Sequence, residues 1–142
     1  FVDAYSWSSL SAQSSEKFAV SGTLDLNQLS GIISDAGQDL GQSVQSKLGG
    51  LRVIDSISSL FIHFELAPAQ RFITQVARTA LAFGNVTTLF VIEEGSVSDQ
   101  VLNNIKYLMD GIIEFKPHEN EKSIRVASMK WASYSQDWIS LD

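Results

Sequence analysis

Apolar strand patterns alternate with amphipathic helix patterns through the first two-thirds of this chain, and this alternation limits the fold more than any other feature. Residues 51–54 and 87–92 are short apolar runs typical of buried strands. Apolar residues at helical spacing precede the first run, over 26–48, and separate the two runs, over 72–81. Because parallel strands need such crossover helices, the order predicts an α/β layer with parallel strands in the middle of its sheet.

The predicted helices have recognisable ends. Asp25 or Asn27 can cap the first helix, and the glycine pair 49–50 ends it. Gly84 stands where a cap belongs at the end of the second helix. Ser98 can cap a third helix. The apolar positions expected to face inward on that helix are Val101, Leu102, Ile105, Leu108 and Met109.

Beyond the third helix the pattern changes to short strands at 112–115, 124–126 and 138–141, with turn-forming residues at 117–122. Strands that follow one another through short turns pair in antiparallel fashion. The expected fold class is therefore α/β, with a mostly parallel central sheet flanked by helices and a C-terminal antiparallel β meander. A length of 142 residues predicts one domain, spanning 1–142.

Composition excludes several classes of function. The chain has no cysteine, which excludes disulfides and thiol nucleophiles. Its two histidines, His63 and His118, exclude a three-histidine zinc site within one chain. The formal net charge is −6 and the basic residues are scattered, so no nucleic-acid partner is expected. No apolar run approaches the length of a membrane span, and a cytoplasmic protein without membrane contact is expected.

The first strand run ends in Asp55 and Ser56, at the edge where open α/β sheets bind ligands. An aspartate there can hold Mg²⁺ through water beside a nucleotide phosphate, or it can cap the turn that follows. Glu93 and Glu94 follow the next strand and either position water or form a solvated loop entry. If Asp55 and Glu93 flank an empty cation position, adjacent strands bring them close and one pKa should rise.

The 142 residues contain no phosphate-binding loop of the form Gly-x-x-x-x-Gly-Lys-Ser/Thr, because no Gly-Lys-Ser or Gly-Lys-Thr occurs. This argues against ATP hydrolysis by these residues alone. A metal-dependent enzyme built on Asp55, Glu93 and His63 is a further, less favoured interpretation.

The order and spacing of these segments resemble the KaiC-like branch of the RecA superfamily. The resemblance covers nearly the whole chain and is carried by 52–60, 71–72, 88–95 and 108–115. The opening residues 1–6 look like the strand that follows the phosphate-loop helix and a first β-α unit in archaeal members.

The resemblance implies a RecA-like domain of the kind that assembles into rings with ATP at subunit boundaries. Asp55 matches the Walker B aspartate of the family and is the implied Mg²⁺ ligand. Lys130 keeps a positive charge at a position whose basic group reaches a neighbour's ATP, whereas Ser128 replaces a lysine that is common in the family. Together with Ser56 and Glu93, Asp55 and Lys130 are the implied nucleotide-binding residues.

Two functions stay open. In the first, the chain is a KaiC-like domain without its own Walker A motif, a non-hydrolysing regulatory or oligomerisation module that binds further copies or a partner protein. In the second, it is a fragment of a longer ATP-binding KaiC-like ATPase whose phosphate loop lies upstream of Phe1, which the start in mid-strand favours. ATP and Mg²⁺ are expected only where that loop is supplied elsewhere.

Overall fold

The computed structural model separates into two compact units, Phe1–Ser96 and Val97–Asp142. The residues that the structure describes are 1–8, 14–43, 50–82, 86–118 and 121–141. The predicted helix ends at Gly49 and Gly84 lie outside the described residues. The prediction of one domain stays a prediction.

The strands of the first unit form two small parallel sheets. Strand β1 (Val2–Asp3) pairs with β2 (Phe18–Ala19), and β3 (Gly50–Ile54) pairs with β4 (Val86–Phe90). The predicted parallel pairing is confirmed for β3 and β4. The central sheet is smaller than expected, however, because each pair forms a separate two-stranded sheet in the described residues.

Helix α1 (Leu26–Ser43) confirms the first predicted helix over its described part. Asp25 caps it, since its Oδ1 accepts hydrogen bonds from the backbone N–H groups of Asn27 at 2.9 Å and Gln28 at 3.0 Å. These two donors have no partner within the helix, so the aspartate satisfies them and fixes where the helix begins.

The segment between β3 and β4 folds into short and long helical pieces, and the long one confirms the helix predicted over 72–81. A single 3-10 turn at Ile57–Ser59 runs into the short helix α2 (Leu60–His63). Helix α3 (Leu66–Ala82) follows and begins two residues before Pro68. Proline is tolerated in a first helical turn, because its missing N–H would have no partner there.

Strands β3 and β4 each have one partly covered face and one exposed face. Leu51, Val53, Leu89 and Val91 are 66%, 54%, 42% and 39% exposed, whereas the residues between them are better covered. Side chains alternate between the two faces of a strand, and α3 packs on the covered side of β4. The prediction that both strands are buried is therefore wrong.

The second unit contains one helix and one antiparallel sheet. Helix α4 (Asp99–Leu108) precedes the strands β5 (Gly111–His118), β6 (Glu121–Met129) and β7 (Ile139–Leu141). Neighbouring strands along the chain pair with each other, in the order β5-β6-β7. The predicted C-terminal meander is confirmed.

Helix α4 begins as predicted, with the Ser98 side chain accepting a hydrogen bond from the N–H of Val101 at 3.4 Å. Val101 and Ile105 are buried. Leu108 is 39% exposed, which corrects the prediction that it faces inward. It is the last residue of the helix and lies at its open end.

Glu114 on β5 joins the helix and the sheet of the second unit. Its carboxylate lies 3.3 Å from Nζ of Lys106 on α4 and 2.6 Å from a terminal nitrogen of Arg125 on β6. Arg125 also lies over the ring of Trp138, 4.6 Å from its centroid. The Arg125 hydrogen bonds hold the pKa of Glu114 below its usual range, so the carboxylate stays charged and links three elements.

Candidate functional site

Backbone hydrogen bonds continue between the two chain segments beyond the carboxyl ends of β3 and β4. The N–H of Val91 donates to the carbonyl of Ile54 at 2.9 Å, and the Val91 carbonyl accepts from the N–H of Ile57 at 2.8 Å. Asp55 and Ser56 form the turn between these two contacts, and the peptide bond that joins them is cis. The chain after β4 therefore runs beside the turn that carries the predicted site residues.

Asp55 lies at the end of β3, as predicted, and is exposed. Its carboxylate accepts no hydrogen bond within the described parts of the chain. An aspartate cap would bind the N–H of Ile57, but that group donates to Val91 instead. The interpretation of Asp55 as a turn cap is therefore wrong, and its carboxylate faces solvent.

Glu93 is held by serines from the neighbouring turn. Its backbone N–H donates to Oγ of Ser58, a buried side chain, at 2.9 Å. Hydrogen bonds from the hydroxyls of Ser58 and then Ser56 lower the pKa of the Glu93 carboxyl. The expectation that pairing with Asp55 raises the pKa of Glu93 is therefore wrong. Neutral hydroxyl donors stabilise the charged form of the Glu93 carboxyl and lower its pKa instead.

The loop after Glu93 folds back on it. The N–H and the hydroxyl of Ser96 both donate to the Glu93 carbonyl, at 3.2 Å and 2.7 Å. Gly95 has φ +79°, a backbone conformation that glycine adopts without steric cost. Both the carbonyl and the N–H of Glu93 are thus fixed, which positions its side chain at the edge of the sheet.

Lys130 belongs to the second unit, immediately after β6. Its Nζ donates to the carbonyl of Tyr107 at 3.2 Å and lies 4.0 Å from the carboxylate of Asp110. Tyr107 is in the last turn of α4, where backbone carbonyls carry partial negative charge. The Lys130 amino group therefore lies at the C-terminus of α4. The Lys130 side chain is 45% exposed.

A metal site made of Asp55, Glu93 and His63 is not present. No group of three or more histidine, aspartate or glutamate side chains is placed to hold a metal ion in the described ranges. His63 ends α2, and Glu93 is bound to serines. A single exposed carboxylate at Asp55 nevertheless fits Mg²⁺ that arrives with a phosphate, because such Mg²⁺ keeps most of its ligands as water and phosphate oxygens.

The structure is similar to that of a KaiC-like protein from the hyperthermophilic archaeon Pyrococcus horikoshii, with a TM-score of 0.61 and 16% sequence identity. The match covers 87% of this chain but only 56% of the archaeal protein. No protein-family model matches the sequence. No curated protein matches it. The likeness shows that this chain has a mixed α/β fold similar to that of the KaiC-like protein.

No helix in the described ranges is both long enough and apolar enough to cross a membrane.

Sequence reasoning missed two residues of the first unit. Ser58 carries a single signal in the sequence, which is the repeated serine after Asp55. Arg52 is a charged residue within the apolar run of β3, and the strand prediction gives it no separate role. Both are polar side chains that the fold at least partly covers.

Proposed function

We propose that this chain is a RecA-like ATPase-fold domain that serves as a regulatory or oligomerisation module and does not hydrolyse ATP by its own residues. The observation that carries this is the carboxyl edge of β3 and β4, where Asp55 is exposed and Glu93 is held ionised. Ligands bind at this edge in open α/β sheets. The likeness to a KaiC-like protein supports the same assignment.

The proposed residues have distinct roles toward a nucleotide. Asp55 would hold Mg²⁺, and the hydroxyls of Ser58 and then Ser56 lower the pKa of Glu93 at the same edge of the sheet. Lys130 supplies a positive charge in an oligomer, where it acts on the nucleotide of a neighbouring copy. The cradle of backbone N–H groups and its lysine, which supply most of the phosphate recognition, are not among the 142 residues.

The second candidate is a longer ATP-binding KaiC-like ATPase that includes these residues. Its support is that the chain spans 56% of the length of the KaiC-like protein that it matches. The two candidates differ in the source of the phosphate loop. A Gly-Lys-Ser or Gly-Lys-Thr encoded upstream in the same reading frame would favour the longer ATPase.

The 142-residue chain is expected to bind ATP–Mg²⁺ with a dissociation constant no tighter than about 1 mM, a binding free energy of about −4 kcal/mol. The reason is that one carboxylate and water cannot replace a phosphate cradle. Isothermal titration of ATP–Mg²⁺ into the chain measures this directly, with the Asp55→Asn variant as the control. A sub-micromolar constant for the wild type would overturn the proposal.

Asp55→Asn and Asp55→Ala are expected to leave the free energy of unfolding within about 0.5 kcal/mol of the wild type, since the side chain is exposed and its carboxylate accepts no hydrogen bond from the described residues. Thermal melts measure this, with Glu94→Gln as an exposed carboxylate control. A loss of about 1 kcal/mol confined to the alanine variant would restore the turn-cap interpretation. Repeating the melts in millimolar Mg²⁺ tests whether the cation binds at Asp55 without nucleotide, because only the wild type would then be stabilised.

A further inference from the structure

The antiparallel sheet of the second unit has one charged face and one apolar face. Residues that pair across neighbouring strands share a face, and successive residues along a strand lie on opposite faces. Glu114 pairs with Arg125, on the face that Lys106 of α4 contacts. The opposite face, called here the meander face, consists of Ile113, Phe115, Pro117, Lys122, Ile124, Val126, Ile139 and Leu141. Its one charged residue is Lys122, at the end where β5 leads into β6.

The meander face is open to solvent although it is apolar. The exposed fractions are 48% for Ile113, 68% for Phe115, 63% for Ile139 and 41% for Leu141. When an antiparallel sheet has one face in solvent, that face is normally the polar one. Here the polarity is reversed, because the side chains of Glu114 and Arg125 lie on the other face and are only 30% and 35% exposed. A contiguous apolar surface of this kind marks a protein–protein contact.

The exposed area of the meander face agrees with what two copies of the chain need in order to associate. A large side chain has about 150–250 Å² of surface, so the four most exposed residues contribute about 400 Å². The other members of the face raise this to about 600 Å² per copy, or about 1,200 Å² for two copies, which is the lower limit for a specific interface. A second copy can therefore cover the whole face in a weak dimer.

Two meander faces are also compatible in shape and charge. Sheets pack face to face about 10 Å apart with their strands about 30° from parallel, and the side chains of the two faces interdigitate. A two-fold axis through the middle of the contact with the β6 strands antiparallel places the two Lys122 groups at opposite ends, so they do not repel each other. The face has no carboxylate, so the negative charge of each copy stays outside the contact.

We propose that the meander face is the surface through which two copies of this chain associate, by packing sheet on sheet. This deepens the proposed oligomerisation function, on which it rests, by naming the surface and the partner. Phe115, Ile124 and Ile139 form one row across the three strands, and the exposed Phe115 and Ile139 are the expected anchors.

Sedimentation equilibrium between about 10 μM and about 1 mM chain tests the proposal, with a dimer dissociation constant of about 100 μM or tighter expected for the wild type. Phe115→Thr and Ile139→Thr are each expected to raise this constant at least tenfold. Threonine suits a strand and both side chains are exposed, so the fold should be retained. Val53→Thr and Leu89→Thr are matched controls, because they change exposed apolar residues of β3 and β4, and they should dimerise as the wild type does.

Amide chemical shifts of the wild type, followed over the same concentrations, locate the contact without any variant. The amides of β5, β6 and β7 should shift with concentration, and those of β3 and β4 should not. A wild type that stays monomeric at about 1 mM would overturn this proposal together with the oligomerisation function, and would leave the face to a different polypeptide. A dimer that persists unchanged in Phe115→Thr and Ile139→Thr would overturn the meander face alone, because the copies would then associate through another surface.

Discussion

Replacement of Ile57 by alanine is expected to lower the free energy of unfolding of the first unit by about 2–5 kcal/mol. The side chain is 0% exposed, so the variant loses buried apolar surface and leaves a cavity. Ile57 also follows the turn of Asp55 and Ser56 directly, and its N–H pairs with Val91. Urea denaturation followed by far-ultraviolet circular dichroism measures the loss, because the long helices α1 and α3 both belong to this unit.

Two further isoleucines provide matched controls. Ile62 is 78% exposed, and Ile62→Ala should cost less than about 0.5 kcal/mol. Ile73 on α3 is 0% exposed, and Ile73→Ala should cost about as much as Ile57→Ala. Only the change at Ile57 should also shift the amide signal of Glu93. An Ile57→Ala protein as stable as the wild type would contradict the packing described for this turn.

Local signals in the sequence predicted most of the elements, because helix and strand periodicity and capping are local. Asp25 begins α1 and Ser98 begins α4 through side-chain hydrogen bonds to groups two or three residues away. The exposed face of β3 and β4 could not be predicted in this way. An apolar run such as 51–54 is compatible with one covered face or two, and the difference depends on what packs against it.

Strand pairing shows the same limit. The order of patterns correctly predicted that β3 and β4 are parallel neighbours and that the last three strands form a meander. It did not predict that β1 and β2 form a sheet of their own, two residues long in each strand. Pairing between strands depends on contacts across the fold, which the local apolar pattern does not encode.

The sequence predicted where Asp55 and Glu93 lie but not which hydrogen bonds Glu93 makes. Asp55 and Glu93 do lie at the carboxyl edge of the two strands. The hydrogen bond between Glu93 and Ser58 joins residues 35 positions apart, so no local pattern indicates it. Arg52 is visible as a charge within an apolar run, but only the fold shows that its guanidinium lies near Gly37 of α1 and makes no ion pair with the described residues.

Replacement of Ser58 by alanine is expected to have the second-largest effect, about 1–2 kcal/mol at neutral pH, because a buried hydroxyl that both accepts and donates is lost. The variant should also return the pKa of Glu93 toward its ordinary value, since Ser58 is the main cause of its lowering. Nuclear magnetic resonance titration of the Glu93 carboxyl, with urea denaturation at several pH values, measures both effects. Ser59→Ala is the matched control, because Ser59 is exposed and its hydroxyl donates to the Ser56 carbonyl and not to Glu93 in the described part of the chain.

The lowered pKa of Glu93 determines how the effect of Ser58→Ala on the free energy of unfolding changes with pH. A glutamate whose pKa is lower in the folded than in the unfolded protein stabilises the fold above its unfolded pKa, roughly 4.3, and this stabilisation disappears as the pH falls through the folded value. On acidification the free energy of unfolding should therefore fall more in the wild type than in Ser58→Ala. The difference in this free energy between the two proteins should become smaller below a pH of about 4. The Ser59→Ala protein should follow the wild type throughout. If the pKa of Glu93 is the same in Ser58→Ala and in the wild type, the serine does not stabilise the charged form of this carboxylate. That result would contradict the proposed Mg²⁺–nucleotide site at this edge of the sheet.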